Sequence, residues 1–374
     1  MRIAILRRAP QIAFSMDVYA DELISGLRTV RPDWEILEIS PRPWWSGHQS
    51  YWKSGIGIRK YYERFWNHPR DIVYHVKADV FHIIDHTDGH IGYWLKKSNK
   101  RFVVTCHDLV QFVYPEILND QSRFPRLSMA AWKYSVGGMH EADSIIAVSN
   151  NTKNDIINNL NISPDKVGVI PNAVSSEFNP YSSCEKDNAR TEHISSKDIC
   201  LLNVGSTHQR KNVLAILQTI KKLLEKGIPV RLWRLGGRFT SSQKQFIEDN
   251  ALKDFILDLG TPSRSELVDI YNAADMLLAP SLYEGFGLTV LEAMACGLPV
   301  ITSNVSSLPE VCGEAAVLVD PLDVDQIVDA VINLKSDFHY YKSFVSKGIE
   351  RSKSFNWLKT AEKVAQVYGS VLSK

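Results

Sequence analysis

Residues 280–300 read PSLYEGFGLTVLEAMACGLPV, and the apolar run MLLA at 276–279 comes directly before them. A short, continuous apolar run of this kind is typical of a strand that is buried on both faces of a parallel sheet. Gly285 and Gly287 allow a tight turn, after which apolar residues recur with helical spacing until Gly297 ends the pattern. The stretch therefore predicts a strand, a glycine turn and a helix, which is the repeating unit of an α/β fold.

The glycine turn also predicts a binding site for an anion. Where a strand runs into the amino end of a helix, backbone N–H groups and the positive end of the helix dipole favour a phosphate. Two carboxylates, Glu284 and Glu292, flank this turn. Because a carboxylate repels a phosphate but accepts hydrogen bonds, the two acids suit hydroxyl groups of the same ligand. The pattern indicates a ligand that carries phosphate and polyol together, as a nucleotide sugar does.

Composition describes an ordinary protein of two domains. The chain has 374 residues, of which 44% are hydrophobic and 23% charged, and this length exceeds what one core usually supports. Lysine and arginine number 43 against 42 aspartates and glutamates, a net charge of +1 that argues against a general nucleic-acid binder. The five cysteines are odd in number and form no Cys-x-x-Cys pair, so neither a disulfide framework nor a zinc site is indicated.

The chain begins with an apolar run that is too short for a signal peptide. No stretch reaches the roughly 18 to 20 apolar residues of a membrane-spanning helix. We therefore expect a cytoplasmic protein, or one that is peripheral on the inner face of the plasma membrane.

Apolar runs rich in β-branched residues alternate with helical patterns twice along the chain. In the first half the candidate strands are residues 2–6, 35–39, 80–84, 102–105, 144–148 and 166–170. In the second half they are residues 200–204, 230–235, 256–259, 276–279, 300–302 and 316–319. The polar, aperiodic segment 181–197 is interpreted as a linker. We expect two doubly wound domains facing each other, an N-terminal one at residues 1–180 and a C-terminal one at residues 198–356.

Arg210 and Lys211 follow a predicted strand and a glycine-containing turn, and a helix is predicted from Val213 onward. This position aims two cations at the carboxyl edge of the sheet, where ligands of open α/β sheets bind. The alternative is an exposed charged pair at a helix start, where cations oppose the dipole. Prepositioned cations suit a reaction in which charge grows on a leaving diphosphate.

His107 comes directly after the strand at 102–105 and should lie at the carboxyl edge of the first sheet. A lone histidine is more often structural than functional. Asp108 could orient its ring or cap a turn. The remaining histidines show no spacing that indicates a metal site.

A segment between Arg42 and Trp66 mixes aromatic residues with cations. The aromatic residues are Trp44, Trp45, Tyr51, Trp52, Tyr61, Tyr62, Phe65 and Trp66, and the cations are Arg42, Lys53, Arg59, Lys60 and Arg64. Such a mixture suits a sugar-stacking acceptor site or peripheral contact with a membrane. The alternative is an aromatic core beneath a long loop.

The stretch at 280–300 resembles the Glu-(seven residues)-Glu signature of retaining glycosyltransferases with the GT-B fold, in the large family four. Four further motifs match that family in the same order. They are residues 105–109 (TCHDL), 147–150 (AVSN) with 170–174 (IPNAV), 205–212 (GSTHQRKN) and 259–261 (LGT). Each motif is weak alone, but together they extend the resemblance over nearly the whole chain.

The resemblance implies a role for each matching residue. Glu284 would contact the hydroxyls of the transferred sugar, and Glu292 would accept hydrogen bonds from the ribose. Arg210 and Lys211 would stabilise the diphosphate without a metal, and His107 would donate a hydrogen bond to the transferred sugar. Further donor-binding positions implied are Gly205, Thr261, Gly285, Phe286, Gly287, Leu288 and Thr289.

The resemblance also implies an arrangement of the domains and one departure from the family pattern. The N-terminal domain would bind the acceptor, and a C-terminal helix within residues 357–374 would pack back on it. The family usually has two glycines after its first strand, where this chain has Ser15 and Met16 before a helix predicted from Asp17. Serine is small and could still contact the donor, but methionine narrows the loop.

The implied activity is a retaining, metal-independent transfer of a hexose from a UDP- or GDP-sugar to a hydroxyl of a glycan or lipid-linked saccharide, with no other cofactor. Such a reaction belongs to polysaccharide biosynthesis at the cell envelope. Two alternatives keep the fold and change the function. One is a non-catalytic partner that binds a nucleotide sugar or glycan, and the other is a GT-B-type nucleotide-sugar epimerase.

Overall fold

The computed structural model describes residues 1–8, 14–41, 61–115, 125–182, 185 and 198–373. The chain forms two compact units. The first comprises Met1–Asn172 together with Trp357–Lys374, and the second comprises Ala173–Asn356. Each unit is built on a six-stranded parallel sheet, as the alternation of apolar runs and helical patterns predicted.

The first unit contains six strands in the order β2-β1-β3-β4-β5-β6. They are β1 (Arg2–Leu6), β2 (Glu35–Ile39), β3 (Val80–Ile83), β4 (Phe102–Cys106), β5 (Ser144–Ala147) and β6 (Val167–Val169). Every residue of β3 and β4 is buried, because helices cover both faces of this sheet. The direction of strand succession reverses between β1 and β3, and their carboxyl ends define the position where an open α/β sheet binds ligands.

The helices of the first unit include the last one in the chain. They are α1 (Phe14–Val30), α2 (His68–His75), α3 (Ile91–Lys97), α4 (Val110–Val113), α5 (Pro125–Gly137), α6 (Asn150–Leu160) and the C-terminal helix (Trp357–Leu372). A π-helical turn at Glu63–Asn67 precedes α2. The C-terminal helix packs on α1 at Gly26, where an added Cβ would lie 2.9 Å from the Cβ of Ala361.

The second unit contains six strands in the order β12-β11-β10-β7-β8-β9. They are β7 (Ile199–Gly205), β8 (Val230–Gly236), β9 (Ile256–Gly260), β10 (Met276–Ala279), β11 (Val300–Ser303) and β12 (Val317–Val319). Counted within the unit and from the β9 edge, this is the order 3-2-1-4-5-6 of the dinucleotide-binding fold. The topological switch point therefore lies between β7 and β10.

Helices cover both faces of the second sheet. They are α7 (Val213–Glu225), α8 (Ser241–Asp249), α9 (Arg264–Ala273), α10 (Leu288–Ala295), α11 (Leu308–Cys312), α12 (Val324–Ser336) and α13 (Phe338–Ser352). Neighbouring residues of one strand enter different cores, since Leu277 belongs to the same hydrophobic cluster as Val290, whereas Leu278 belongs to the cluster that contains Ile216. This two-sided burial explains why the strands are continuous apolar runs in the sequence.

The sequence placed the end of the first domain at residue 180, and this boundary needs correction. Contacts group the chain from Ala173 onward with the second unit. The backbone N–H of Tyr181 donates to the side-chain oxygen of Asn272 at 2.8 Å, and its hydroxyl donates to Asp269 at 2.6 Å, which ties this segment to α9. Of the predicted linker at 181–197, only residues 181, 182 and 185 lie within the described part of the chain.

Within the described residues, no helix is long and apolar enough to cross a membrane. Within the described part of the chain, Cys106, Cys200, Cys296 and Cys312 are buried and form no disulfide bond.

Candidate functional site

The carboxyl ends of β7 and β10 bring two of the sequence motifs together. After β7 the chain passes through a short 3₁₀ turn at Gln209–Lys211 and enters α7. After β10 it passes through the glycine turn and enters α10. The two loops are joined directly, because the N–H of Leu282 donates to the carbonyl of Arg210 at 2.7 Å. The predicted basic pair and the first glutamate thus meet at the switch point of the second sheet.

Glu284 is the centre of this site and is 8% exposed. Lys211 Nζ donates to its Oε1 at 2.5 Å, and Arg210 Nη1 donates to its Oε2 at 2.8 Å. The hydroxyl of Ser281 donates to Oε1 at 2.8 Å. Burial alone would raise the pKa of the Glu284 carboxyl, but the charges of Lys211 and Arg210 lower that pKa to about 2. Glu284 is therefore a carboxylate at neutral pH.

The two cations are held by the same carboxylate. Burial lowers the pKa of Lys211, the charge of Glu284 raises it, and the neighbouring charge of Arg210 lowers it again. Arg210 Nη1 also donates to the backbone carbonyl of Tyr283 at 3.2 Å. Both cations are thereby oriented toward the start of the glycine turn.

Two serines and a glycine fix the shape of the glycine turn. The hydroxyl of Ser306 donates to the Glu284 carbonyl at 2.7 Å, and the hydroxyl of Ser307 lies within 3.0 Å of the Phe286 carbonyl. Gly287 has a φ of 105°, and an added Cβ there would lie 2.9 Å from Leu308 Cδ2. Since α10 begins immediately afterwards, the positive end of its dipole lies at the turn.

Glu292 lies on α10 and is half-buried. The hydroxyl of Tyr271, a fully buried residue of α9, donates to its Oε2 at 2.9 Å. Burial raises the pKa of the Glu292 carboxyl to about 7, although the Tyr271 hydrogen bond acts in the opposite direction. Glu292 consequently changes charge near neutral pH.

The other predicted donor-binding residues differ in their distance from this centre. Gly205 ends β7 with a φ of 140°, and an added Cβ would lie 3.2 Å from Lys211 Cε, so the glycine leaves room for that side chain. Leu288 and Thr289 are partly exposed in the first turn of α10, whereas Phe286 is buried against Phe355. Thr261 is exposed just after β9, on the outermost strand and two strands from β7.

His107 follows β4 in the first unit, at the carboxyl edge of that sheet. Its Nε2 lies 2.8 Å from the carbonyl of Ile84, which requires the proton to be on Nε2. The ring packs edge-on against Tyr19, with the two ring centroids 4.7 Å apart. Burial lowers the pKa of His107, which favours the neutral ring. The only N–H of that ring is donated to Ile84, so Nδ1 is an acceptor. The resemblance implied that His107 donates a hydrogen bond to the transferred sugar. In the structure, the N–H of its ring is donated to the carbonyl of Ile84.

Ser15 lies in the first turn of α1, and its side chain is exposed. The sequence placed Ser15 and Met16 before a helix starting at Asp17, but α1 begins at Phe14. The helix can start earlier because the carboxylate of Asp17 interacts favourably with the helix dipole from within the first turn, so Asp17 need not be the first residue of the helix. Residues 9–13, which complete the loop after β1, lie outside the described residues.

Sequence reasoning missed two buried charges at these sheet edges. Asp85 follows β3, is 3% exposed, and pairs with Arg8 at 3.1 Å across the switch point of the first sheet. Burial would raise the pKa of Asp85, but the Arg8 guanidinium holds it well below its usual range. Arg234 lies inside β8 and is 1% exposed. The sequence did contain a signal for both residues, because each is a charged residue within or directly after an otherwise apolar run.

The aromatic segment is described only from Tyr61 onward, and residues 42–60 lie outside the described residues. Tyr61, Tyr62 and Trp66 are about half exposed, and Trp66 packs edge-on against Trp94 at 5.1 Å. The predicted cation Arg64 is paired with Asp88 at 2.9 Å. The described part of this segment is therefore partly a packed cluster and partly an exposed aromatic surface.

Comparison with known families covers most of the chain. Residues 185–351 match the profile described as "Glycosyl transferases group 1". Residues 24–178 match the profile described as "Glycosyltransferase Family 4".

Among the described residues, no group of three or more His, Cys, Asp or Glu could hold a metal ion.

Two relatives from Escherichia coli are similar in sequence. The O-antigen chain mannosyltransferase B is 31% identical over 270 residues, which cover 71% of this chain and 69% of that protein. The serotype-specific mannosyltransferase WbdA is 27% identical over 314 residues, or 78% of this chain, but this match spans only 37% of that longer protein. Among solved structures, sucrose-phosphate synthase from Thermosynechococcus elongatus superimposes with a TM-score of 0.79 at 21% identity, covering 100% of this chain and 99% of that one.

Proposed function

The chain belongs to the group 1, family 4 glycosyltransferases with the GT-B fold, and we propose that it transfers a hexose from a nucleotide diphosphate sugar to a hydroxyl of a glycan or lipid-linked saccharide. The observation that carries this proposal is the contact of Glu284 with Arg210 and Lys211 at the switch point of the second sheet. Two relatives are named mannosyltransferases, which favours mannose as the hexose. The base of the donor is uracil or guanine.

A diphosphate would bind to the two cations. In the structure they are held by one carboxylate, at 2.8 Å and 2.5 Å. A diphosphate carries more negative charge than Glu284, so it competes for these cations and leaves Glu284 free to accept hydrogen bonds from the sugar hydroxyls. As the sugar to phosphate bond breaks, charge grows on the leaving oxygens and is met by Arg210, Lys211 and the amino end of α10.

Glu292 is assigned to the ribose. It lies on the helix that begins at the glycine turn, and its carboxyl is held by Tyr271. In its ionised form it accepts hydrogen bonds from two neighbouring hydroxyls, which suits the ribose of a nucleotide. Glu284 and Glu292 then contact the two ends of one donor, with the diphosphate between them.

We propose retention of configuration through displacement on one face of the sugar. The acceptor hydroxyl attacks from the face on which the phosphate leaves, so the leaving phosphate oxygen lies beside that hydroxyl and takes its proton. Arg210 and Lys211 would themselves neutralise the diphosphate, as a divalent metal does in other enzymes, which supports metal-independent transfer. Transfer at an unchanged rate in the presence of EDTA is the expected result.

The acceptor is assigned to the first unit, where His107, Asp85 and the exposed aromatic rings near Tyr61 lie. A ring exposed beside polar groups suits a saccharide, and the aromatic segment from Trp44 to Trp66 could also contact a membrane surface. One relative is named for the O-antigen chain, which supports a role in polysaccharide biosynthesis at the cell envelope. We propose a cytoplasmic location for the reaction.

A donor panel tests the proposal. The purified chain is mixed with UDP-, GDP- and ADP-sugars, and melting temperature and sugar release are measured. One donor should stabilise the protein and be hydrolysed slowly without an acceptor, and NMR should show a released or transferred sugar of unchanged anomeric configuration. A protein that binds a donor without hydrolysing it is a non-catalytic partner, and a donor converted into its epimer indicates an epimerase. Either result contradicts the proposed transfer.

A further inference from the structure

Arg234 is a charged residue in a place that favours an apolar one. It lies within β8 between Trp233 and Leu235, which are both buried, and only 1% of its surface is exposed. Taking a cation out of water costs on the order of several kcal/mol unless other groups replace its hydration. Methionine would fill a similar volume without that cost. The presence of a guanidinium here therefore requires a compensating role.

The partners of Arg234 are backbone carbonyls at the ends of β7 and β8. Its Nη2 donates to the carbonyl of Gly205 at 2.7 Å and to that of Ser206 at 3.1 Å. Its Nη1 donates to the carbonyl of Leu235. The ends of β7 and β8 approach each other closely, since a Cβ added at Gly236 would lie 2.2 Å from the Gly205 oxygen. The guanidinium thus fixes the chain at the point where it leaves β7 toward Arg210 and Lys211.

The charge of Arg234 also acts on the site. Burial lowers the pKa of Arg234 to about 10, while the charge of Asp258 raises it, so the side chain remains a cation at neutral pH. Burial is the main cause that lowers the pKa of Lys211, and the charge of Arg234 contributes in the same direction. Among the described residues, no carboxylate lies within 4 Å of Arg234, whereas Glu284 pairs with both Arg210 and Lys211. The site therefore contains three cations and one close carboxylate.

We propose that Arg234 is a positioning residue of the donor site, which holds the loop from Gly205 to Lys211 and whose unpaired charge makes the site select a ligand with two or more negative charges. The inference rests on the proposed function, because it assigns the diphosphate of the donor to this loop. It adds a residue that does not touch the ligand and whose effect depends on ligand charge. A purely structural arginine would instead affect all ligands of the site equally.

Calorimetric binding of a nucleoside, its monophosphate and its diphosphate separates these two roles. The base is the one that wild type binds, uracil or guanine, and the full-length protein is used. We expect Arg234→Met to weaken diphosphate binding by about tenfold, monophosphate binding by less and nucleoside binding not at all, since the lost attraction scales with ligand charge. Arg234→Lys keeps the charge and should keep the preference for the diphosphate.

Arg231→Met is the matched control. Arg231 lies on the same strand, but it is partly exposed and pairs with Asp198 at 2.8 Å. Its removal should change none of the three affinities. An equal loss for all three ligands in Arg234→Met, or no loss for the diphosphate, overturns the inference.

Two further outcomes are also decisive. If Arg234→Met does not fold, the ratio of diphosphate to monophosphate affinity in Arg234→Lys decides, and a collapse of that ratio despite the retained charge overturns the inference. If wild type binds none of the nucleoside phosphates, the donor site itself is wrong, and the proposed function fails with it. Binding by wild type with an unchanged profile in Arg234→Met refutes only the role of Arg234.

Discussion

Glu284 shows how one residue can serve two states of a site. In the structure it accepts hydrogen bonds from Arg210, Lys211 and Ser281, and it keeps two buried cations in place. With a diphosphate bound, the proposal moves the cations to the phosphate and leaves the carboxylate to the sugar. Under this proposal the residue contributes to the order of the site as well as to catalysis.

Replacing Glu284 by glutamine should lower turnover by about 100-fold or more, which corresponds to the loss of one transition-state contact. The side chain keeps its size but loses the charge that supports the departing sugar. Lys211→Ala should lower turnover to a similar degree, because it removes a cation from the diphosphate. Steady-state kinetics with the donor found in the panel measures both effects. Glu248→Gln, an exposed change on α8, is the control, and near-normal transfer by either site variant would contradict the assigned roles.

The pH dependence of stability gives a separate test of Glu284. Its pKa of about 2 in the folded protein lies below the ordinary value of 4.5, so the group stabilises the fold above about pH 4.5. This contribution should be lost as the pH falls from 4.5 toward 2. Denaturant unfolding of wild type and Glu284→Gln over this range is the measurement. The difference between the two proteins should shrink with falling pH, and a constant difference would show that the charge does not matter.

Glu292 should make donor binding depend on pH near neutrality. The pKa of its carboxyl is about 7, and the ionised form is the better acceptor for ribose hydroxyls, so affinity should rise between about pH 6 and pH 8. Tyr271→Phe removes the hydrogen bond that lowers this pKa, and the midpoint should therefore move to higher pH. Binding of the nucleotide sugar is measured across this range, because its diphosphate is esterified at both ends and does not titrate there, whereas the terminal phosphate of a free nucleoside diphosphate has a pKa of about 6. In Glu292→Gln the rise should vanish, and its persistence there would assign the titration to another group.

At the scale of elements, the glycine turn before α10 depends on a backbone conformation that other residues rarely adopt. Gly287→Ala introduces a Cβ at a φ of 105° and 2.9 Å from Leu308 Cδ2, which should destabilise the protein by about 1–3 kcal/mol. Chemical denaturation measures the loss. Gly168→Ala is the matched control, because a Cβ at that position meets nothing within 4 Å. Equal stability of both variants would show that the turn can relax.

The strands were predictable and the helix starts were less so. Runs such as Met276–Ala279 are buried on both faces, and this burial leaves a continuous apolar pattern in the sequence. The start of α1 was wrong by three residues, because the acidic residue at Asp17 is compatible with either a position before the helix or one in its first turn. Local pattern determines that an element exists more firmly than it determines where the element begins.

At the scale of the whole molecule, the family and the double parallel sheet followed from the motifs, but contacts between distant residues did not. The hydrogen bond from His107 to the carbonyl of Ile84 spans 23 residues, and no local pattern indicates it. The same holds for Arg8 and Asp85, which are separated by 77 residues and meet only because β1 and β3 are neighbours in the sheet. The carboxyl edge of each sheet could be predicted as a site, whereas the pairing of charges along that edge requires the fold.

The placement of the C-terminal helix has a consequence for folding. This helix is last in sequence, yet Tyr368 is fully buried in the first unit and its hydroxyl lies 2.6 Å from Nδ1 of His82. His82 Nε2 in turn lies 2.7 Å from the hydroxyl of Thr105, so the helix completes a buried polar chain beneath β4. The first unit therefore lacks part of its core until the last residues of the chain are in place.

Removing residues 357–374 should therefore destabilise the first unit selectively. The truncation uncovers the face of α1 around Gly26 and leaves His82 without the Tyr368 hydroxyl, and both effects lie in the unit that contains the helix. Hydrogen exchange resolved by peptide should show faster exchange in β1, β3 and β4, with little change in β7, β8 and β10. Tyr368→Phe isolates the polar contribution and should cost about 1–3 kcal/mol, since it leaves a buried histidine nitrogen without its partner. Faster exchange spread evenly over both units would mean that they unfold together, and the C-terminal helix would then stabilise the whole chain and not the first unit alone.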